Sequence, residues 1–280
     1  MGVYLGRTTS RQFLSVIHNA MINEGYTEIS SNVGLDGRVY KSTEGGNNEF
    51  YIQFKDTTVG YITVGFYEKY TPGTSGVAGV FGAGQTQNCL VWDRATPASD
   101  AKLSYIMNID ISRVIIQCEG YKNNGANACT SLTFVGMPIR YDSNDKGPNF
   151  GGVAGTTGTD SNIPTGSWKA LRNRVLTQNA FYPLDYYMPT KSFGWGENIF
   201  YSPMFIGSAD EGPRGEFPAI YALEAGVNTE FQHYDVFKRD GKTFIILSTA
   251  NDYTIQSSYL PRSWYVMEVA EGLNYDLLYR

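Results

Sequence analysis

Cysteine and histidine are scarce in this chain: three and two in 280 residues. Cys89, Cys118 and Cys129 are odd in number and show no CxxC spacing, which argues against a disulfide scaffold and a zinc site. The expectation is small buried hydrophobes in a protein made in a reducing cytoplasm. His18 and His233 have no HExxH-type partner, and no GxSxG elbow marks a serine nucleophile. Basic residues are outnumbered, 22 against 27, for a net charge of −5. No positive field therefore draws in nucleic acid or an anionic membrane surface. No run reaches the ~18 apolar residues of a membrane span, and the opening Met1–Arg7 lacks the apolar core of a secretory leader. Charged residues are only 18% against 42% hydrophobic, which excludes a chain too polar to fold. Heptads and longer internal repeats are missing, so coiled coils, solenoids and propellers are excluded.

Phosphate cradles fail as well. Gly241-Lys242-Thr243 matches the end of a P-loop, but Val236 stands where its first glycine belongs, and the context is a hairpin. Gly73, Gly76, Gly79, Gly82 and Gly84 have no GxGxxG register and no helix after them. A two-carboxylate glycosidase is the enzyme class hardest to exclude, yet nothing marks a pair among the acids. The reading is of a chain with no catalytic residues, no cofactor and no metal.

What is present is β-pattern and aromatic surface. One helix is predicted over residues 10–24: Phe13, Leu14, Ile17 and Met21 form an apolar stripe, Thr9 and Gln12 suit a capping box, and Gly25 suits a left-handed C-terminal cap. Strands are predicted at 26–30, 38–42 after the turn pair Asp36-Gly37, 49–55 and 61–70. Phe50, Ile52 and Phe54 share one face of the third. The tract 71–88 reads as a long mobile loop. A strand from 104 to 119, bent near Asp110, pairs with 130–141 after the turn Asn123-Asn124-Gly125. Residues 143–167 read as a second extended Gly/Ser/Thr-rich loop, and 168–178 as a short helix. The C-terminal strands are placed at 219–223, 234–238, 242–248, 253–257 and 264–269, with Asp240-Gly241 as a tight hairpin. The fold class is thus α+β and β-dominated, a helix packed on an antiparallel meander followed by a β-rich region. The organisation is a 1–142 module, the 143–167 loop, and an aromatic-rich 168–280 region packed on the first module.

Aromatics are the outlier: 21 Tyr, 15 Phe and 4 Trp. Within strands they fill sheet faces. The cluster from Phe181 to Phe205 falls outside any regular pattern, beside a long polar loop, and suits a protein–protein interface. Exposed Tyr and Trp also suit sugars, so a carbohydrate- or receptor-binding module using Trp195 and Trp264 is the alternative from another class.

Several whole segments resemble structural proteins of tailed-bacteriophage virions: Leu5 to Phe13, Asp36 to Ser42, Phe50 to Phe54, Leu132 to Tyr141, Trp195-Gly196, Phe200 to Gly207, Glu211 to Glu216, Ile220-Tyr221 and Asp240 to Leu247. They run in order along nearly the whole chain. The N-terminal helix-on-sheet module is similar to those of tail-terminator and neck proteins. The resemblance implies a non-enzymatic subunit of an oligomeric ring or sleeve in the neck or tail. Baseplate or capsid-surface decoration is the other location. Its partners are copies of itself and other virion proteins, its place the virion after synthesis in the host cytoplasm. Candidate assembly residues are Trp195, Phe200, Phe205, Arg214, Asn149 and Phe150, with the loops 71–88 and 143–167 reaching neighbours.

Overall fold

A computed structural model describes residues 2–30, 32–43, 49–57, 61–74, 76–82, 84–91, 102–121, 128–144, 150–158, 169–170, 200–208, 212–224, 234–249 and 263–278. Strand β1 (Gly2–Thr9) leads into helix α1 (Ser10–Asn23), then β2 (Thr27–Glu28), the single turn α2 (Val33–Asp36), β3 (Arg38–Thr43), β4 (Glu49–Thr57) and β5 (Tyr61–Tyr67). A small hairpin of β6 (Tyr70–Thr71) and β7 (Val80–Phe81) precedes β8 (Gly84–Val91). Next come β9 (Lys102–Asp110), β10 (Arg113–Tyr121), β11 (Ala128–Gly136), β12 (Ile139–Arg140), β13 (Gly151–Gly158) and β14 (Lys169–Ala170). The chain ends with β15 (Phe200–Ser208), β16 (Gly212–Glu224), β17 (Val236–Arg239), β18 (Lys242–Thr249), β19 (Ser263–Val269) and a 3-10 turn at Tyr275–Leu278. The fold is α+β and β-dominated, as the patterning predicts.

Among the described residues three large antiparallel sheets make three layers, beside the small β6–β7 hairpin. The helix-side sheet runs β2-β3-β4-β5-β8, the middle sheet β1-β9-β10-β11-β13-β14, and the C-terminal sheet β12-β16-β19-β18-β17 with β15 on β16. The middle sheet is covered on both faces. From one side Leu103, Met107, Ile109, Val114, Ile116 and Cys118 meet Phe13, Ile17 and Met21 of α1 and Phe50, Ile52 and Phe54 of β4. From the other, Ile106, Ile115, Leu132 and Phe134 meet Phe217, Ile220, Ile245 and Met267. Burial on both faces explains the unbroken apolar run Val114-Ile115-Ile116, which half-buried strands do not carry. Cys118 is buried and forms no disulfide. Among the described residues no helix is long and apolar enough to cross a membrane.

The helix matches its predicted stripe but not its predicted start. Phe13, Ile17, Ala20 and Met21 are buried, and Gly25 takes φ 89°. There Tyr26 N bonds Met21 O at 3.0 Å and Gly25 N bonds Ile22 O at 3.1 Å, a Schellman cap. No capping box forms: Thr9 makes no side-chain cap bond. It is still in β1, opposite Lys102, and Gln12 Oε1 is met by Thr8 Oγ1 at 3.5 Å. The Asp240-Gly241 hairpin holds as predicted, both residues at positive φ and Arg239 opposite Lys242.

Four expectations are corrected. The bend at Asp110 is a hairpin: β9 and β10 pair with each other, and Asp110 Oδ1 accepts Ser112 N at 2.8 Å and Ser112 Oγ at 2.6 Å, closing the turn. The 71–88 tract is not one open loop, since it holds β7 and most of β8, the latter laddered on β5 from Gly84↔Tyr67 onward. The 143–167 tract is not a bare connection, because β13 pairs with β11 along its length. Both strands are glycine-rich or polar, so their order comes from a ladder partner rather than from an alternation pattern. Residues 169–170 form β14, not the start of a helix. The predicted turn at 123–125 and strand at 253–257 lie outside the described residues, as does the rest of the proposed 168–178 helix.

Phe134 and Phe217 meet edge to face at 4.9 Å between the middle and C-terminal sheets. Each is almost fully buried. Truncating either to Ala should cost about 3–5 kcal/mol. A double-mutant cycle in urea should return a coupling of ~1 kcal/mol. Strict additivity would mean that these two layers do not fold as one unit.

Candidate functional site

Asp36 ends α2 with its carboxylate turned inward, 1% exposed. Gly37 follows at φ 73°, where a Cβ would come within 2.7 Å of Phe54 O, so only glycine fits this exit. The carboxylate accepts Tyr70 OH at 2.8 Å and Gly79 N at 3.0 Å to each oxygen. Its main-chain oxygen accepts Gln53 Nε2, and Gln53 Oε1 in turn accepts Tyr67 OH at 3.0 Å. A side chain on Gly79 would strike the Tyr70 ring. Phe81 packs on both Tyr67 and Tyr70, at 4.4 and 4.7 Å. This buried network pins the β6–β7 hairpin onto the outer face of the helix-side sheet.

The pinned frame presents apolar side chains to solvent. Val77 and Val80 of the hairpin are 57% and 70% exposed, and Val33 and Leu35 of α2 are 45% and 44% exposed. Two segments that Asp36 ties together thus offer four aliphatic groups on a rigid support. Sequence reading found Asp36 only as a turn residue. Its bond to Gly79 spans 43 positions, and no local signal announces it.

A second polar cluster joins α1 to β2 and β3. Arg38 Nη1 reaches both oxygens of Glu28 at 3.0 Å and His18 Nδ1 at 3.2 Å. Tyr40 OH lies 2.9 Å from the same nitrogen. Burial, reinforced by the charge of Glu28 and opposed by Arg38, holds the Tyr40 phenol well above its usual range. His18 Nδ1 is thus the point where Tyr40 OH and Arg38 Nη1 meet. The cluster clamps helix to sheet. His233 lies outside the described residues, and among the described residues no group of three or more His, Cys, Asp or Glu is placed to hold a metal.

The six assembly candidates fall in different places. Phe150 is 6% exposed and packs on Phe50 at 5.7 Å, so its ring belongs to the chain's own core and is not offered to a neighbour. Phe200 and Phe205 lie in β15, opposite Glu224 and Glu216, so this end of the aromatic cluster is regular strand rather than irregular chain. Among the described residues β15 pairs with β16 alone. Arg214 sits at an irregularity of β16, where Ile206 faces Gly215 and Gly207 faces Pro213. Trp195 and Asn149 lie outside the described residues. Trp264, the second sugar-platform candidate, is in β19 opposite Leu223 and Thr249. Of the described candidates, Phe200, Phe205 and Arg214 thus share the β15–β16 pair while Phe150 lies in the core.

No family model matches the chain, and no curated protein or solved structure is significantly similar to it.

Asp36→Ala should leave the Tyr70 hydroxyl and Gly79 N–H without their acceptor, at a cost of roughly 2–5 kcal/mol. Amide exchange in 70–82 should accelerate while β9 and β10 keep their protection; an unchanged hairpin would contradict the pinning role. The network also predicts an alkaline limb. Burial pushes the Tyr67 phenol up to about 12 from its ordinary 10.0. Its contribution is therefore complete below pH 10 and is lost as pH rises through about 12. Tyr67→Phe should flatten that limb in pH-dependent urea melts.

Proposed function

We propose that this chain is a non-enzymatic structural component of a tailed-phage virion, repeated as a subunit of an oligomeric ring or sleeve in the neck or tail. The observation that supports a subunit role is the rigid apolar display of Val77, Val80, Val33 and Leu35 on the Asp36-pinned frame. Solvated aliphatic groups on a flexible loop collapse or reorder. Groups held out on a buried polar network keep their geometry and lose little entropy when a neighbour covers them. The virion part of the reading rests on the segment likenesses along the chain. Strand β15, which carries Phe200 and Phe205 and pairs with β16 alone among the described residues, is a second surface that a neighbouring chain would cover. Baseplate and capsid-surface positions use the same properties.

Quantitative mass spectrometry of purified particles tests the location. A small fixed number of copies per particle is expected for a ring, a number comparable with the major capsid protein indicates surface decoration, and absence from the particle refutes the reading. For the surface, Val77→Asp with Val80→Asp should change stability by about 0.5 kcal/mol or less per site, because both are solvent-exposed. The double variant should nevertheless sediment as a monomer where the parent assembles. Normal assembly of the variant would show that the hairpin is not the contact.

A further inference from the structure

The middle sheet separates two solvent-facing apolar displays. On the helix-side layer, Val33, Leu35, Val77 and Val80 stand on the Asp36 frame. Two lysines bracket them. Lys55 Nζ donates to Leu35 O at 2.6 Å. The exposed Lys69 accepts Gly82 N on its main-chain oxygen at 2.8 Å, where the hairpin ends. On the C-terminal layer, β12 sets Ile139 opposite Glu216 of β16, and both residues line a cleft of about 290 Å³. Ile139 and Tyr141 are each 56% exposed. Two carboxylates bracket this ledge: Glu216 accepts Tyr141 OH at 3.3 Å, and the exposed Asp142 accepts Asn144 N at 2.8 Å. Arg140, between the two apolar residues, alternates to the other face of the strand. Among the described residues Lys55, Lys69, Glu216 and Asp142 are in no salt bridge. Asp56 and Glu68, the acids next in sequence to the two lysines, are engaged within the chain.

Resting on the subunit reading above, we propose that these two displays meet. The β6–β7 hairpin and α2 of one copy pack on the Ile139–Tyr141 ledge of a second copy of this chain, and Lys55 and Lys69 face Glu216 and Asp142 of that copy. The first support is charge. Each display has an apolar centre flanked by accessible charges of one sign. Like displays brought together would oppose lysine to lysine or carboxylate to carboxylate, whereas unlike displays pair them. The second support is placement. The hairpin lies beyond the helix-side sheet and β12 belongs to the C-terminal sheet, so the two displays sit on opposite sides of the middle sheet. One copy can therefore use both at once, and the contact repeats head to tail, as a closed ring or a sleeve requires. The third support is division of labour. The aliphatic groups supply area to remove from water, and the rim charges set which face approaches.

The test is complementation between two blocked variants of the full chain. Val80→Asp blocks the hairpin display and Ile139→Asp blocks the ledge; both positions are exposed, so urea melts should be nearly unchanged. In sedimentation velocity each variant alone should be a monomer at concentrations where the parent assembles. An equimolar mixture should form a dimer of one copy of each and grow no further, because each supplies the one surface the other lacks. Charge gives a second measurement that does not rely on either variant. Lys69→Glu and Asp142→Lys should each weaken association about tenfold, and the two combined in one chain should recover most of it. A mixture that stays monomeric would overturn the proposal. So would a blocked variant that assembles like the parent, one that dimerises by itself through its intact display, or charge reversals that show no recovery. A parent that stays monomeric throughout would also end this contact, yet it would leave the virion reading to the count of copies in purified particles, so the two failures are told apart.

Discussion

Double burial of the middle sheet is the constraint on which the rest of the structure depends. Along β9 and β10 the buried apolar side chains alternate between one core and the other, so a slip of one residue would exchange the two sets and empty both cores. Polar residues in the middle of this sheet are buried too: Ser104, Asn108, Gln117, Ser131 and Thr133. Asn108 turns this to structural use. Its Nδ2 donates to Glu268 O at 2.9 Å and ties the middle sheet to the end of β19.

The outer faces follow a different rule. Among the described residues no further large sheet lies beyond the helix-side or the C-terminal sheet, and each covers its outward aromatics locally. On the helix side, Tyr67 and Tyr70 are roofed by Phe81 and anchored through Gln53 and Asp36. On the C-terminal side, Tyr221, Phe237 and Phe244 pack together under the Lys242–Glu268 pair. Burial raises the phenols of both groups. Much of the aromatic content thus has a structural use, in line with the preference of aromatics for sheet faces.

How far the fold was legible in the sequence depends on whether the information was local. The α1 stripe, the Gly25 cap, the alternation of β4 and the Asp240-Gly241 hairpin are set by neighbours within a few positions, and each is found where it was read. The strands β8 and β13 carry GQTQNCLV and GGVAGTTG, which have no alternation to read; they are ordered by ladders to β5 and β11. The capping box failed because a strand that local pattern did not reveal, β1, holds Thr9 in extended backbone against a partner 93 positions away. Neither the Asp36 network nor the cleft was legible, since both join residues from distant segments. Phe150 shows the opposite error: an aromatic beside a polar loop looks like an interface residue until the core that claims it is seen.

The two surface features differ in how they are held. The Asp36 frame displays apolar groups outward and gains mainly from being covered. The β16 cleft is built differently, with Ala219 at positive φ, Arg113 paired to Asp110 and Lys242 paired to Glu268. Their supports are separate, since the first hangs on the helix-side sheet and the second on the junction of the middle and C-terminal sheets. Substitutions that abolish one should therefore leave the other intact, with energies that add as expected for sites sharing no partners.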